Sequence, residues 1–370
     1  MRPTLAKISY SNLKFNYLNI RKKVKKARVM AVVKADAYGH GMINCVSALN
    51  TLGDKKPDYF AVALLEEAIE LRKSKVKQPV LTFAPVGPDE AALYIKHDVI
   101  PTIFETYHLE MLKAAKTKSK KIKVHVKIDT GMGRLGVPYS EAVDFISKVA
   151  SKGAFEVDGI YTHFATSDEK DKTYAELQLS RFKSIVDSLK NNGISFGLAH
   201  AANSGAILDM PEAYFDMVRP GISLYGYYPS LETSESIKLK PVMSLVSKIT
   251  NVKEVQKGDS ISYGRRFIAD KPTKIATVPV GYADGYARAL TNKTFAIIKG
   301  QKYSQVGQVC MDRIMIDINE ARIKENDEVI LLGKKNNLEI NAWDWAKILN
   351  TIPYEITCNI SKRVPRVYVE

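Results

Sequence analysis

Cysteine is scarce in this chain of 370 residues: only Cys45, Cys310 and Cys358 occur, an odd number at wide spacings. That excludes a disulfide framework and a cysteine knuckle for metal, and reduced thiols fit a cytoplasmic setting. No apolar run reaches the roughly 18 residues that a membrane-spanning helix needs. The opening Met1-Arg2-Pro3-Thr4 lacks the charged-then-apolar profile of a signal peptide, so the cytoplasm is the expected location. Acidic residues are outnumbered, 40 against 55 basic ones, for a net charge of +15. Such a surplus raises nucleic acid as a partner. The lysine-rich runs Arg21 to Lys26 and Lys116 to Lys123, however, fall at the ends of helix-like segments, where lysines complement the helix dipole. No basic patch interleaved with aromatics is present either. Neither membrane nor nucleic acid is therefore expected as a partner.

What is present is an alternation of short apolar runs with amphipathic stretches over the first two-thirds of the chain. Expected strands are Val29–Val33, Tyr59–Leu64, Val80–Phe83, Val99–Ile103, Lys123–Ile128, Val157–Phe164, Leu198–Ala201 and Met217–Ser223. Helix-patterned segments such as Glu66–Lys73, Leu109–Ala115, Tyr139–Ser151 and Tyr174–Asn191 lie between them, the last stopped by Asn192-Gly193. This order predicts an α/β fold with an N-terminal (β/α)8 barrel, an open doubly wound sheet being the structural rival. After Gly226 the texture changes, and Pro229–Lys240 reads as a linker. From Pro241 onward closely spaced strands with glycine turns predict a mostly β domain with one helix around Ala342–Leu349. The expected division is a barrel over residues 11–233 and a C-terminal domain over 234–370 that also takes in residues 1–10.

Polar residues just after barrel strands face the mouth where such folds work. The first strand ends in Lys34-Ala35-Asp36-Ala37-Tyr38-Gly39-His40-Gly41. A lysine there enters a crowded, partly desolvated place, which lowers its pKa and makes the amine a nucleophile able to form a Schiff base. The fifth strand leads through Lys127 to Arg134 on a glycine loop, two cations that imply an anionic ligand. Asn203-Ser204-Gly205 and Pro220-Gly221-Ile222, after the seventh and eighth strands, suit a phosphate cradle.

The run Val32 to Gly41 resembles the cofactor-lysine signature of alanine racemases, and matching blocks extend over nearly the whole chain. They include Lys127 to Gly136, Tyr161 to Thr166, Ala202 to Gly205, Arg219 to Gly226, Ser262-Tyr263-Gly264, Gly281 to Tyr286 and Cys310-Met311-Asp312. The resemblance implies a pyridoxal 5'-phosphate enzyme interconverting L- and D-alanine, which supplies D-alanine for peptidoglycan. It implies that Lys34 carries the cofactor and works on the D face, while Tyr263 of a partner subunit in a homodimer works on the L face. By the same resemblance Tyr38, Ser204, Gly221, Ile222 and Tyr354 hold the phosphate, with Asn203 beside them. Arg219 faces the pyridine nitrogen with His163 as its orienting neighbour. Arg134 and the backbone of Met311 contact the substrate carboxylate, and Lys127 matches a lysine that is carbamylated in many members. No metal is implied.

One departure stands out: Arg313 follows Cys310-Met311-Asp312 where family members commonly carry glutamine. A broader amino-acid racemase acting on serine or lysine shares the same scaffold. A non-catalytic pyridoxal-phosphate-binding protein would resemble the barrel alone and leave Tyr263 and Met311 without a place. His40, His125 and His200 are assigned to structural roles, and Asp284 equally to its turn or to a ligand.

Overall fold

The computed structural model describes residues 2–116 and 120–370. It divides into two compact units, one of residues 14–37 and 42–239, the other of residues 1–13, 38–41 and 240–370. Among the described residues no helix is long and apolar enough to cross a membrane.

The first unit is built on parallel strands paired in the order Met217–Val218, Arg28–Val32, Tyr59–Val62, Val80–Pro85, Ile100–Ile103, Ile122–Asp129, Phe155–Tyr161 and Leu198–His200. Backbone bonds from Asp216 N to Ala199 O (3.1 Å) and from Arg219 N to Ala202 O (2.8 Å) link the last strand to the first in that order. The sheet is thus a nearly closed barrel, and the open-sheet alternative falls away. Its strands are short apolar runs because both faces are covered, outside by helices and inside by packed side chains. The helix Ala142–Ser151 shows the outer logic: Ala142, Ile146 and Val149 are buried at helical spacing while Asp144, Lys148 and Ser151 face water. The helix Thr173–Asn191 repeats it with Leu179, Phe182, Val186 and Leu189, and ends before Gly193 at φ +65°.

The second unit carries the strands Asn251–Val255, Thr273–Val278, Ile314–Asn319, Gln301–Val306, Phe295–Ile298, Glu328–Lys335, Met243–Lys248, Leu5–Ser9 and Arg366–Val369, neighbours in that order. All pairs are antiparallel except Leu5–Ser9 with Arg366–Val369, which join the two ends of the chain in parallel. Two helices, Ala342–Leu349 and Pro353–Cys358, complete it; the second was not expected from the sequence.

Several sequence-based boundaries are corrected. The expected strand Met217–Ser223 stops at Val218, because Pro220 lacks a donor and Ile222–Tyr225 turns into a 3-10 helix. The expected strand Val242–Val255 is two strands broken at Ile249-Thr250. Lys123 is no helix-end surface lysine but sits in the strand Ile122–Asp129, and Lys118 of the same run lies outside the described residues. The Pro229–Lys240 segment is anchored rather than loose, with Ile237 buried and its carbonyl accepting from Tyr228 Oη at 2.9 Å.

The turn after the first barrel strand is unusual. Residues Lys34–Gly39 form a single helical turn, yet φ is +51° to +54° from Ala35 through Tyr38 and +83° at Gly39. The turn is therefore left-handed, a conformation that costs L-residues roughly 1–2 kcal/mol each. It persists because its surroundings over-determine it. Glu67 accepts from Ala35 N (2.6 Å) while its other oxygen accepts from Ala63 N (2.8 Å) and Leu64 N (3.1 Å). Asp36 accepts from Met42 N at 2.7 Å. At Gly39 a β-carbon would collide with the carbonyl of Thr357, so no larger residue fits there.

Candidate active site

The turn places Lys34 at the rim of a cavity of about 280 Å³ in the barrel unit. Its lining includes Lys34, Lys127, Arg134, Phe83, Tyr161 and His163, three cations with no carboxylate among them. Lys34 Nζ lies 6.0 Å from the centre of the Phe83 ring, and Lys127 Nζ lies 5.9 Å from that of Tyr161. Burial, then the charges of Arg134 and Arg219, push the Lys127 ammonium down to about 8, so a neutral amine is within easy reach at physiological pH. Such a site is complementary to an anion. Arg134 rides on a loop folded over Asp129, whose carboxylate accepts from Gly131 N (2.9 Å) and Gly133 N (3.0 Å).

Arg219 is buried in the same unit. Its guanidinium donates to the carbonyls of Thr162 (2.7 Å) and Ala201 (2.9 Å) and to His200 Nδ1 (2.9 Å), with His163 Nδ1 further off at 3.4 Å. His200, not His163, is thus its nearer imidazole partner. Burial pulls Arg219 down to about 10, which leaves it protonated near neutral pH. The sequence reading missed His200 because a histidine on an apolar strand carries no mark distinguishing it from a packing residue.

The structure brings Ser204 and Gly221 together. Ser204 Oγ accepts from Gly221 N (3.0 Å) and Ser223 N (3.4 Å) at the start of the Ile222–Tyr225 turn. Asn203 caps the neighbouring helix, accepting from Ala206 N (3.1 Å) and from Ser167 Oγ (2.7 Å). Ser223 Oγ is buried beside them without a hydrogen-bond partner among the described residues, an unmet polar group of the sort that ligands satisfy.

In the second unit Tyr38 packs against Tyr354, ring centroids 5.8 Å apart. Burial raises the Tyr38 phenol well above its ordinary value, so it acts as a hydroxyl donor and not as a phenolate. Tyr263 sits in a tight turn between the strands Ser260–Ile261 and Phe267–Ile268, with φ positive at Ser262, Gly264 and Arg265. Ser262 Oγ ties the turn to Gln308 O at 2.7 Å. Tyr263 is 74% exposed and Met311 52% exposed, and both line a wide concavity of about 910 Å³ with Tyr282 and Arg313. Asp284 resolves as a turn residue: it is fully buried, accepts from Gly281 N at 3.0 Å and is clamped by Arg2.

One physical consequence is measurable. Burial lowers His108 to about 4 and lowers His125; burial and then Arg219 hold His163 and His200 well below the ordinary value. Between about pH 6.5, where free histidine titrates, and about pH 4, the unfolded chain takes up protons that the folded chain refuses. Their contribution to stability is complete above about pH 6.5 and is lost as pH falls, by up to about 1.4 kcal/mol per pH unit for each histidine. Thermal unfolding of the cofactor-free chain should accordingly show a midpoint that falls as pH drops from about 6.5 toward about 4. A flat profile across that window would mean that these imidazoles are protonated in the fold.

Comparison with known proteins accords with this arrangement. The family described as "Alanine racemase, N-terminal domain" matches residues 8–229, and "Alanine racemase, C-terminal domain" matches residues 242–368. "Alanine racemase 2" of Caldanaerobacter subterraneus subsp. tengcongensis is 44% identical over 373 residues, spanning 100% of this chain and 95% of that protein. The "Alanine racemase" of Clostridium novyi is 41% identical over 375 residues, spanning 100% and 96%. The solved alanine racemase of Clostridium difficile 630 matches with a TM-score of 0.92 at 39% identity, covering 100% of this chain and 96% of that one. With both halves matched and identity of this level sustained end to end, the chain belongs to the alanine racemase family.

Proposed function

We propose that this chain interconverts L-alanine and D-alanine on pyridoxal 5'-phosphate, with Lys34 and Tyr263 moving the α-proton on opposite faces. The observation that carries the reading is the cavity at Lys34, with three cations and no carboxylate in its lining. The residues of the barrel unit fit the cofactor: Ser204, Gly221, Ile222 and the buried Ser223 Oγ, which has no partner among the described residues, would hold its phosphate, with Asn203 capping the neighbouring helix; the family resemblance adds Tyr38 and Tyr354 to that set. When bound, the cofactor supplies an electron sink for the charge left on Cα after proton removal.

Lys34 holds the cofactor covalently and moves the proton on the D face. Arg219 carries only donors, so it would hold the cofactor's ring nitrogen by donating to it and would offer no acceptor for a proton there. Arg134 and the backbone of Met311 orient the substrate carboxylate. Lys127, whose amine is easily neutral, would add carbon dioxide at Nζ and release one proton, and the carbamate anion so formed would steady Arg134. Tyr263 and Met311 are exposed on a concave surface, which supports a homodimer in which they serve the partner's barrel. In this reading residues 11–233 form the cofactor-binding domain, and residues 234–370 with 1–10 the domain that serves the partner. The enzyme works in the cytoplasm and supplies D-alanine for peptidoglycan.

The test is purification, borohydride reduction and peptide mapping, followed by rates on L-alanine, L-serine and L-lysine. A yellow protein labelled at Lys34 and fastest on alanine is expected. Label at another residue would overturn the cofactor assignment, and a preference for lysine would overturn the substrate.

A further inference from the structure

Behind Arg219 the barrel interior holds a line of polar groups that the proposed reaction does not use. His200 Nε2 lies 3.0 Å from His125 Nδ1, and His125 Nε2 lies 3.2 Å from Asp158 Oδ2. His200, His125 and Asp158 are all buried. Lys123 Nζ donates to Asp158 Oδ1 at 2.6 Å, and Tyr59 Oη donates to Oδ2 at 3.2 Å. Buried polar groups on this scale require a reason.

The two ends of the line dictate every proton in it. A guanidinium has donors only, so His200 Nδ1, which faces Arg219 Nη1 at 2.9 Å, must be bare. A neutral His200 then carries its proton on Nε2 and donates to His125, whose Nδ1 must also be bare. His125 in turn carries its proton on Nε2 and gives it to the carboxylate. A doubly protonated imidazole at either position would set two N–H groups against each other. Burial opposes ionisation of Asp158, but the bonds from His125 and Lys123 outweigh it and hold the carboxyl well below its usual range.

Local backbone features build this line. The register of the fifth and sixth barrel strands slips between Val124 and His125, so that Val157 pairs with Val124 and Gly159 with His125. Asp158 is the extra residue of that bulge, a device that re-aims a side chain. Gly159 leaves room for the His125 ring, which a β-carbon there would meet at 2.6–2.8 Å. Tyr161 stacks flat on His200, centroids 4.9 Å apart and planes 6° apart, so the ring cannot turn freely.

We propose that Asp158 is a positioning residue for the racemase reaction, acting through His125 and His200 to fix the orientation and donor pattern of Arg219. The proposal rests on the reading of Arg219 as the partner of the cofactor's ring nitrogen. With the anion in place, the relay from Arg219 to Asp158 has one direction only. A neutral amide at 158 can turn its donors toward His125 Nε2, which draws the His125 proton to Nδ1, against His200 Nε2–H, and so works against the order that Arg219 sets.

The test joins nitrogen NMR of the full chain with kinetics. The chain has six histidines, so ¹⁵N-histidine labelling with single His→Gln assignments resolves them. His125 and His200 should both appear as neutral Nε2–H tautomers, with and without pyridoxal phosphate. A Nδ1–H or doubly protonated form of either would overturn the proposal before any variant is made. Asp158→Asn should mix the His125 tautomers and lower kcat about tenfold in both directions at unchanged KM, the low end of what outer partners of a site are worth. Asp158→Glu should restore most of that loss. An Asp158→Asn enzyme with a lowered melting temperature but wild-type kcat would leave Asp158 a merely structural residue and sink the proposal. Failure of the cofactor reading is separable, since it appears as missing colour and label at Lys34 in the unaltered chain.

Discussion

Replacing Lys34 by alanine is expected to leave a folded chain that binds pyridoxal phosphate without a covalent bond and racemises alanine at least about 10³-fold more slowly. Positioned proton transfer alone is worth about 10²–10⁴-fold, and in the proposed mechanism Lys34 has a second task in holding the cofactor. The turn itself should survive, because bonds to the backbone at Ala35 and Met42 hold its strain. The readouts are the visible absorbance, the site of borohydride labelling and kcat. One outcome would be decisive against the assignment. Lys127 shares the cavity and has an amine that is easily neutral. If Lys34→Ala remained yellow, carried its label at Lys127 and kept wild-type turnover, the two lysines would have to exchange roles.

Tyr263→Phe is the second large expected effect, and it should separate the two faces of the reaction. The substitution removes one oxygen from an exposed ring in a turn whose shape is set by Ser262, Gly264 and Arg265, so folding and cofactor binding should be untouched. Racemisation from L-alanine should fall by about 10²–10⁴, the usual worth of a positioned acid or base. Exchange of the α-proton of D-alanine with deuterated solvent should persist, because in the proposed mechanism that face belongs to Lys34. Equal loss of exchange on both faces would point to a general loss of the site, and wild-type racemisation would remove Tyr263 from the mechanism.

The barrel was legible because its physics is local. Strands covered on both faces must be short apolar runs, and Arg28–Val32, Tyr59–Val62 and Val80–Pro85 fall within a few residues of where those runs lie. Lys34, Lys127, Arg134 and Arg219 were legible as polar residues at or just beyond strand ends, and the structure brings the first three to one cavity. What stayed hidden depends on closure or on distant pairing. His125 and His200 stand on different strands and meet only when the sheet curls round. The parallel pairing of Leu5–Ser9 with Arg366–Val369 joins residues from opposite ends of the chain, which no window along the sequence can see. Asp158 looked like a strand residue because a bulge is a property of two strands and not of one. Helix propensity at Ala35 and Ala37 says nothing about hand.

That hand has a chemical corollary. A left-handed turn is strained for L-residues because their side-chain carbon crowds the following carbonyl; for residues of the opposite configuration the same turn is relaxed. The chain therefore spans Ala35 and Ala37, at φ +51° and +54°, in a backbone shape that is relaxed for D-alanine. A semisynthetic protein with D-alanine at those two positions would relieve roughly 2–4 kcal/mol of strain while keeping a methyl group and its backbone stiffness at each, which glycine would not. The segment that places the lysine of this family of D-alanine-forming enzymes is itself shaped for the mirror form of its own two alanines.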